Sequence, residues 1–376
     1  MQENPFIVKG YKSPAYFCDR DDETAAIILN IQNGADTTLV SPRKYGKTGL
    51  ILHTFAEMKR RRLNYETLYV DIFATLTLED FTKTLAEAIL IKFPEKTSIG
   101  KGFVTFLKTL RPTLTYDSIS GSPHLQFNYG TVSEKEWTLK SLLEFLNTRE
   151  KPVVLAFDEF QQITEYPEKT AEALLRTYTQ SMQNIRFIFC GSKKKLMAEM
   201  FTSAGRPFFS STKLLTLGKI DSDKYAEFIR GHFSEVGRTI DAGAVDWILE
   251  WTRRHTFYTQ TLCNEVFAVG GNVTIDVVKN AANRILERES DYFLQYRELL
   301  TRQQWLLLVA VAKEGSVSKL TSTVFLKKYN IGSSTNARRA AESLQEKELL
   351  LTLESKEKQE YQVYDVFLSR WLEREF

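Results

Sequence analysis

The stretch Ser41-Pro42-Arg43-Lys44-Tyr45-Gly46-Lys47-Thr48 decides the fold. It follows residues 37–41 (TTLVS), a short apolar run that reads as a buried strand. It opens residues 47–62, whose apolar spacing predicts a helix. A strand, a loop and a Gly-Lys-Thr at a helix start make the context in which GxxxxGK[ST] cradles phosphate. Ser41 stands where that pattern has its first glycine. The physics survives in part. Gly46 permits the tight loop, the N–H groups of residues 44–48 can point at phosphate oxygens, and the helix N-terminus favours an anion. Lys47 then reaches the β- and γ-phosphates and Thr48 ligates Mg2+. The plain alternative is a lysine-tipped surface loop.

A second signal lies downstream. VVLAFDEF (153–160) puts Asp158 and Glu159 at the end of an apolar strand. Beside a phosphate loop, such an Asp holds Mg2+ and the following Glu polarises the attacking water. The alternative is a pair of helix-capping acids. A third strand-like run, IRFIFC (185–190), ends in Gly191-Ser192. Ser192 can touch the γ-phosphate or the water, cap the helix expected at 193–200, or do both.

The chain alternates strand and helix up to about residue 220. Residues 67–72 form another strand, and 78–92 and 168–182 form helices. Apolar strands alternating with helices argue for a mainly parallel sheet covered on both faces. Residues 111–133, with Pro112, Gly121 and Pro123, read as an inserted β-hairpin turning near SGSP (120–123). Helices follow at 222–236, 241–253, 256–269 and 274–290, then at 301–313, 320–329 and 333–347. Two strand-like pieces, 349–353 and 360–364, flank the charged turn ESKEKQ. Three helices and a hairpin make the winged helix-turn-helix order. The expected domains are a P-loop α/β domain (1–220), a helical lid (221–295) and a winged helix (296–376).

Composition narrows the alternatives. The 376 residues are 43% apolar and 26% charged, with 50 basic and 47 acidic residues giving +3. That balance excludes a histone-like polyanion binder. The longest apolar run, Trp305 to Ala312, is far short of the roughly 20 residues a membrane span needs, so no membrane is expected. Cys18, Cys190 and Cys263 are scattered, which fits a reducing, cytoplasmic setting.

With these motifs in place, the chain resembles AAA+-type P-loop ATPases. More narrowly, it is similar to the archaeal-type ATPases of the STAND-like branch, including their Bacteroidetes-like members. The resemblance runs from about Asn4 to Phe376. It rests on an opening segment with Phe17, Arg20 and Glu23, on SPRKYGKTGL through Gly49, and on GSKKKLMAEMF followed by Gly205-Arg206-Pro207-Phe208-Phe209. The resemblance implies ATP or ADP with Mg2+, and Tyr16 and Phe17 near the adenine; both aromatics are equally readable as core. The relatives' arginine after this segment is absent at Ser211; Arg206 is the candidate to replace it as a phosphate-sensing cation, the alternative being a surface arginine. The lid's His255 and Phe257 are weaker base-side candidates, since the relatives' proline is Thr256 here.

In the winged helix, Arg338, Arg339, Lys327 and Lys328 are candidates for DNA phosphates. Residues 301–376 nevertheless carry only 12 basic against 10 acidic residues, so a protein partner or an intramolecular brake fits equally well. A homo-oligomer is compatible with a missing arginine supplied in trans. Three functions compete: a Mg-ATP-hydrolysing switch read out by the winged helix, a non-hydrolysing nucleotide-bound regulator, and, more weakly, a small-molecule kinase.

Overall fold

Strand β5 (Val153–Asp158) shows why the sheet forms: every residue is buried, and successive side chains enter opposite cores. Val153, Leu155 and Phe157 face one core and Val154 and Ala156 the other. This is the double burial of a parallel sheet. The computed structural model describes residues 3–110, 112–117, 119, 121–127, 129–354 and 359–376. They form two units, residues 9–220 and residues 3–8 with 221–376.

In the first unit the order is α1 (Asp21–Gln32), β1 (Thr37–Val40), α2 (Lys47–Arg60), β2 (Glu66–Asp71), α3 (Leu78–Lys92), α4 (Ser98–Leu110), β3 (Thr113–Tyr116), β4 (Pro123–Gln126), α5 (Val132–Asn147), β5, α6 (Ala171–Ser181), β6 (Ile185–Gly191), α7 (Lys194–Thr202) and β7 (Lys213–Thr216). The sheet order is β2-β5-β6-β1-β7, and each pairing is parallel. One core takes Ile27, Ile28 and Ile31 of α1 and Leu50, Ile51 and Met58 of α2. The other takes α3 to α7, with Phe157, Phe160, Phe187, Phe189, Phe201 and Phe208 at its centre. The fold is a P-loop α/β sheet, and its four sequence-expected strands are β1, β2, β5 and β6.

Differences have local causes. The hairpin is shorter than 111–133. β3 and β4 pair antiparallel over four residues each, and Thr131 starts helix α5 through a capping box with Glu134. Of the expected SGSP turn, Ser120 lies outside the described residues. Helices α4 and α5 and the edge strand β7 were not read from the sequence. β7 carries only one half-buried position, Leu215, so it lacks the apolar run that marks β5.

The second unit runs α8 (Ser222–Ser234), α9 (Ala242–Trp251), α10 (Thr256–Val269), α11 (Ile275–Leu299), α12 (Arg302–Glu314), α13 (Thr323–Tyr329), α14 (Ser334–Glu346), β8 (Leu350–Glu354), β9 (Gln359–Val363) and α15 (Val366–Glu375). Residues 3–8 belong to it: Phe6 is buried against Phe228, His232, Phe233 and Phe267, and Asn4 and Asn264 bond reciprocally. α11 continues past the expected 290, through the 295/296 position, until Thr301 caps α12. Helices α12 to α14 and the hairpin β8–β9 make the winged helix. The ESKEKQ turn falls largely at residues 355–358, outside the described residues. α15, unread from the sequence, ties the wing to the preceding helices: Trp371 donates to Ser290, and Arg370 donates to the Trp251 carbonyl.

Candidate active site

The loop after β1 is shaped by its backbone. Gly46 takes φ 92° and Lys44 takes φ 62°, both in the left-handed region, and α2 starts at Lys47 with no side-chain cap. Its first N–H groups are therefore turned to the loop, the arrangement that receives an anion. Lys47, only 6% exposed, curls back and donates to the carbonyls of Ser41 (3.1 Å) and Pro42 (3.0 Å). Ser41 is buried and donates to the Pro42 carbonyl. Tyr45 is buried in the α1–α2 core, an anchor for the loop, while the side chains of Arg43 and Lys44 are exposed.

Parallel register brings the acids to this loop. Thr48 Oγ1 donates to Asp158 Oδ2 at 2.5 Å. Tyr69 of β2 donates to the same oxygen at 2.8 Å, and the Glu159 amide donates to Oδ1 at 2.9 Å. Burial, with Asp158 adding to it, pushes the Tyr69 phenol far up, so it stays a donor. Burial and Asp158 also push up the Cys190 thiol beneath. Two hard oxygens side by side, Thr48 and Asp158, suit Mg2+, which keeps waters and phosphate oxygens as its other ligands.

Glu159 has φ 55°, left-handed and strained for a side chain of its size. Its Oε2 accepts from Ser192 Oγ (2.7 Å) and from Gln161 Nε2 (2.5 Å). The N-cap of α7 is Lys193, without a side-chain cap bond, so Ser192 serves Glu159 and not the helix. At the end of β2, Asp71 has its carboxyl raised, first by burial and then by Asp158 and Glu159, against a lowering Phe73 N–H bond. Tyr69, Asp71 and Gln161 were missed from the sequence. Gln161 follows directly in DEFQ, and its position two residues past Glu159 was the signal.

The remaining candidates lie elsewhere. Phe17 stacks on His53 (4.3 Å between centroids) and rests on Gly49, where a Cβ would sit 3.1 Å away. Tyr16 lies in a short 3-10 turn with Lys12 over its ring. Arg20, buried, clamps Glu23 and the Gly218 carbonyl. Arg206 pairs with Glu172 at 2.7 Å and with Glu199 at 3.8 Å. In the winged helix, Lys328 pairs with Glu314 and Arg338 with Glu342, while Arg339 and Lys327 are exposed. Among the described residues no helix is long and apolar enough to cross a membrane.

Comparison with known proteins fits this geometry. A profile described as an ATPase domain predominantly from Archaea matches residues 17–252, and one described as a probable winged helix domain matches residues 291–374. Among solved structures, a Walker-type ATPase of Pyrococcus abyssi is 17% identical with TM-score 0.66, over 98% of this chain and 99% of its own. The ORC2 protein of Aeropyrum pernix in ADPNP–ADP complexes is 14% identical with TM-score 0.59, over 98% and 96%. The ORC1 protein of the same organism in complex with DNA is 13% identical with TM-score 0.50, over 96% and 94%. No curated protein matches. The chain belongs to the family of ATPase domains found predominantly in Archaea, with a winged helix domain following.

Proposed function

We propose that the chain binds and hydrolyses Mg-ATP and uses the nucleotide state to drive a conformational switch read out by its winged helix. It is then a cytoplasmic, STAND-like member of the family, nearest in motif to its Bacteroidetes-like subgroup. The working parts are the P-loop domain (1–220), the lid (221–295) and the winged helix (296–376). One observation carries the reading: Asp158, at the end of β5, accepts from Thr48 of α2 and from the Glu159 amide, and the Glu159 carboxylate accepts from Ser192, just past β6.

In this reading the amides of residues 44–48 and Lys47 hold the phosphates, with Ser41 to Gly49 as the cradle. Lys47 exchanges its bonds to the Ser41 and Pro42 carbonyls for phosphate oxygens. Mg2+, when bound, neutralises phosphate charge, with Thr48 and Asp158 as its protein-side oxygens. Glu159 accepts the proton of the attacking water, and Ser192 holds its carboxylate. Tyr16 and Phe17 lie to the adenine side. Arg206 senses phosphate only by giving up Glu172. DNA or a protein partner meets Arg339 and Lys327 on the winged helix, and a homo-oligomer supplies the missing cation.

The absence of the relatives' arginine at Ser211, with Arg206 already paired, supports a second reading: a regulator that holds nucleotide without turning it over. Steady-state hydrolysis by wild type and Glu159→Gln across protein concentrations separates the two. Hydrolysis predicts a fall of about 100-fold or more in Glu159→Gln, with ATP affinity kept within a few-fold. ATP binding with no turnover in either protein selects the regulator.

A further inference from the structure

Resting on the hydrolytic reading, the geometry points to Gln161 as the residue that positions Glu159, and to Gly191 as the residue that makes room for it. Gln161 is 3% exposed and sits in a 3-10 turn, Phe160–Glu165, directly after β5. Its Nε2 donates to Glu159 Oε2 at 2.5 Å, the same oxygen that accepts from Ser192. Two donors from two elements fix one carboxylate oxygen and leave Oε1 for the attacking water. A single hydroxyl contact would leave the Glu159 side chain free to turn about its own bonds, and the second donor removes that freedom.

The other half of the amide explains Gly191. Gln161 Oε1 is buried without a hydrogen-bond partner. A Cβ on Gly191 would lie 2.2 Å from that oxygen and 2.5 and 2.6 Å from Cγ and Sδ of Met197. Gly191 pairs in register with Val40 and has no positive φ, so the missing Cβ, not backbone freedom, is what the position requires. An amide buried with one acceptor unmet costs stability that an apolar side chain would avoid. Its return is the orientation of Glu159. Gln161 is thus a positioning residue acting through Glu159, and Gly191 acts through Gln161.

The test compares kcat, KM and equilibrium ATP affinity in wild type, Glu159→Gln, Gln161→Met, Gln161→Ala, Gly191→Ala and the Gln161→Ala/Gly191→Ala double variant. Losing one hydrogen bond to a charged group predicts a kcat about ten- to thirtyfold lower in Gln161→Met, with ATP affinity within about twofold of wild type. Gly191→Ala should lose at least a similar factor, and the loss in the double variant should fall short of the product of the two single losses, because the new Cβ no longer meets the amide although it still meets Met197. A Gln161→Met kcat within twofold of wild type overturns the inference, as do losses that multiply in the double variant. If Gly191→Ala does not fold, Gln161→Met decides alone. Turnover that vanishes in Glu159→Gln but ignores Gln161 overturns this inference and leaves the hydrolytic reading standing. No turnover in the wild type removes that reading and the inference with it.

Discussion

Asp158 and Asp36 lie at opposite ends of the same parallel sheet, and the contrast between them separates a site from a tie. Asp158, at the C-terminal end of β5, accepts from Thr48, Tyr69 and the Glu159 amide, so donors from α2 and β2 join its own strand. Asp36, just before β1, accepts from the Phe187 amide of β6, and its own carbonyl accepts from Lys213 of β7. It joins backbones. Burial pushes the Asp36 carboxyl up to about 6, with the Phe187 amide, Arg186 and Arg176 pulling it back only in part. A sequestered acid therefore marks neither end by itself. Hydroxyl donors that a metal or phosphate can replace mark the C-terminal end, where open α/β sheets bind ligands.

The largest effect expected from this contrast is in Asp158→Ala. It strands the Thr48 and Tyr69 hydroxyls and the Glu159 amide, at about 1–3 kcal/mol for each donor that water cannot reach, so a net loss of about 3 kcal/mol is expected. Mg2+ should also stop strengthening ATP binding. Asp158→Asn keeps an acceptor and should recover most of the stability without recovering turnover. Urea midpoints and ATP titrations with and without Mg2+ check both. An Asp158→Ala protein as stable as the wild type would erase the distinction between the two acids.

Asp36 comes next, and its sign is opposite. Its folded value, about 6, lies above the ordinary 3.8. The native state therefore holds the proton more tightly than the unfolded chain. The stabilisation is whole below about pH 4 and is lost as pH rises through 6. The rise from 3.8 to about 6 corresponds to about 3 kcal/mol, and partial exposure reduces this to about 2 kcal/mol. Asp36→Asn keeps an acceptor for the Phe187 amide and should flatten the slope between pH 4 and 6 by that amount. Asp71 and Glu172, also raised chiefly by burial, leave a residual slope in the same direction. Stability measured by urea unfolding across that pH range checks it, and an unchanged slope in Asp36→Asn would show that Asp36 carries none of the cost.

The same contrast explains what was legible in the sequence. Strands β1, β5 and β6, inside the sheet, announced themselves because burial on both faces favours apolar runs, and the edge strand β2 did so through Leu68, Tyr69 and Val70, of which Leu68 and Val70 are buried. β7 did not, since an edge strand with Lys213, Leu214 and Thr216 exposed needs no such run. The loop, Asp158, Glu159 and Ser192 could be nominated from the sequence because each follows a strand-like run, and the fold brings Thr48, Asp158, Glu159 and Ser192 within hydrogen-bond reach. Tyr69 and Gln161 were not. Tyr69 reaches Asp158 only because β2 pairs beside β5, and although Gln161 sits two residues past Glu159 in the sequence, its amide has room there only because Gly191 on β6 lacks a Cβ. Both are facts of pairing across the sheet.

Tyr69→Phe gives the smallest effect and the finest test. Unlike Asp158→Ala it strands no donor: Asp158 keeps Thr48 and the Glu159 amide, and the phenyl ring fills the same space. The expected cost is about 1 kcal/mol of stability, one hydrogen bond to a carboxylate weakened by the ring's partial exposure. If Tyr69 only packs, the loss ends there. If it holds Asp158 for the metal, Mg2+ affinity measured in the presence of ADP should fall about threefold to fivefold, while metal-free ADP affinity stays put. A fall in both alike would make Tyr69 part of the loop's scaffold, on the side of Asp36 and not of Asp158.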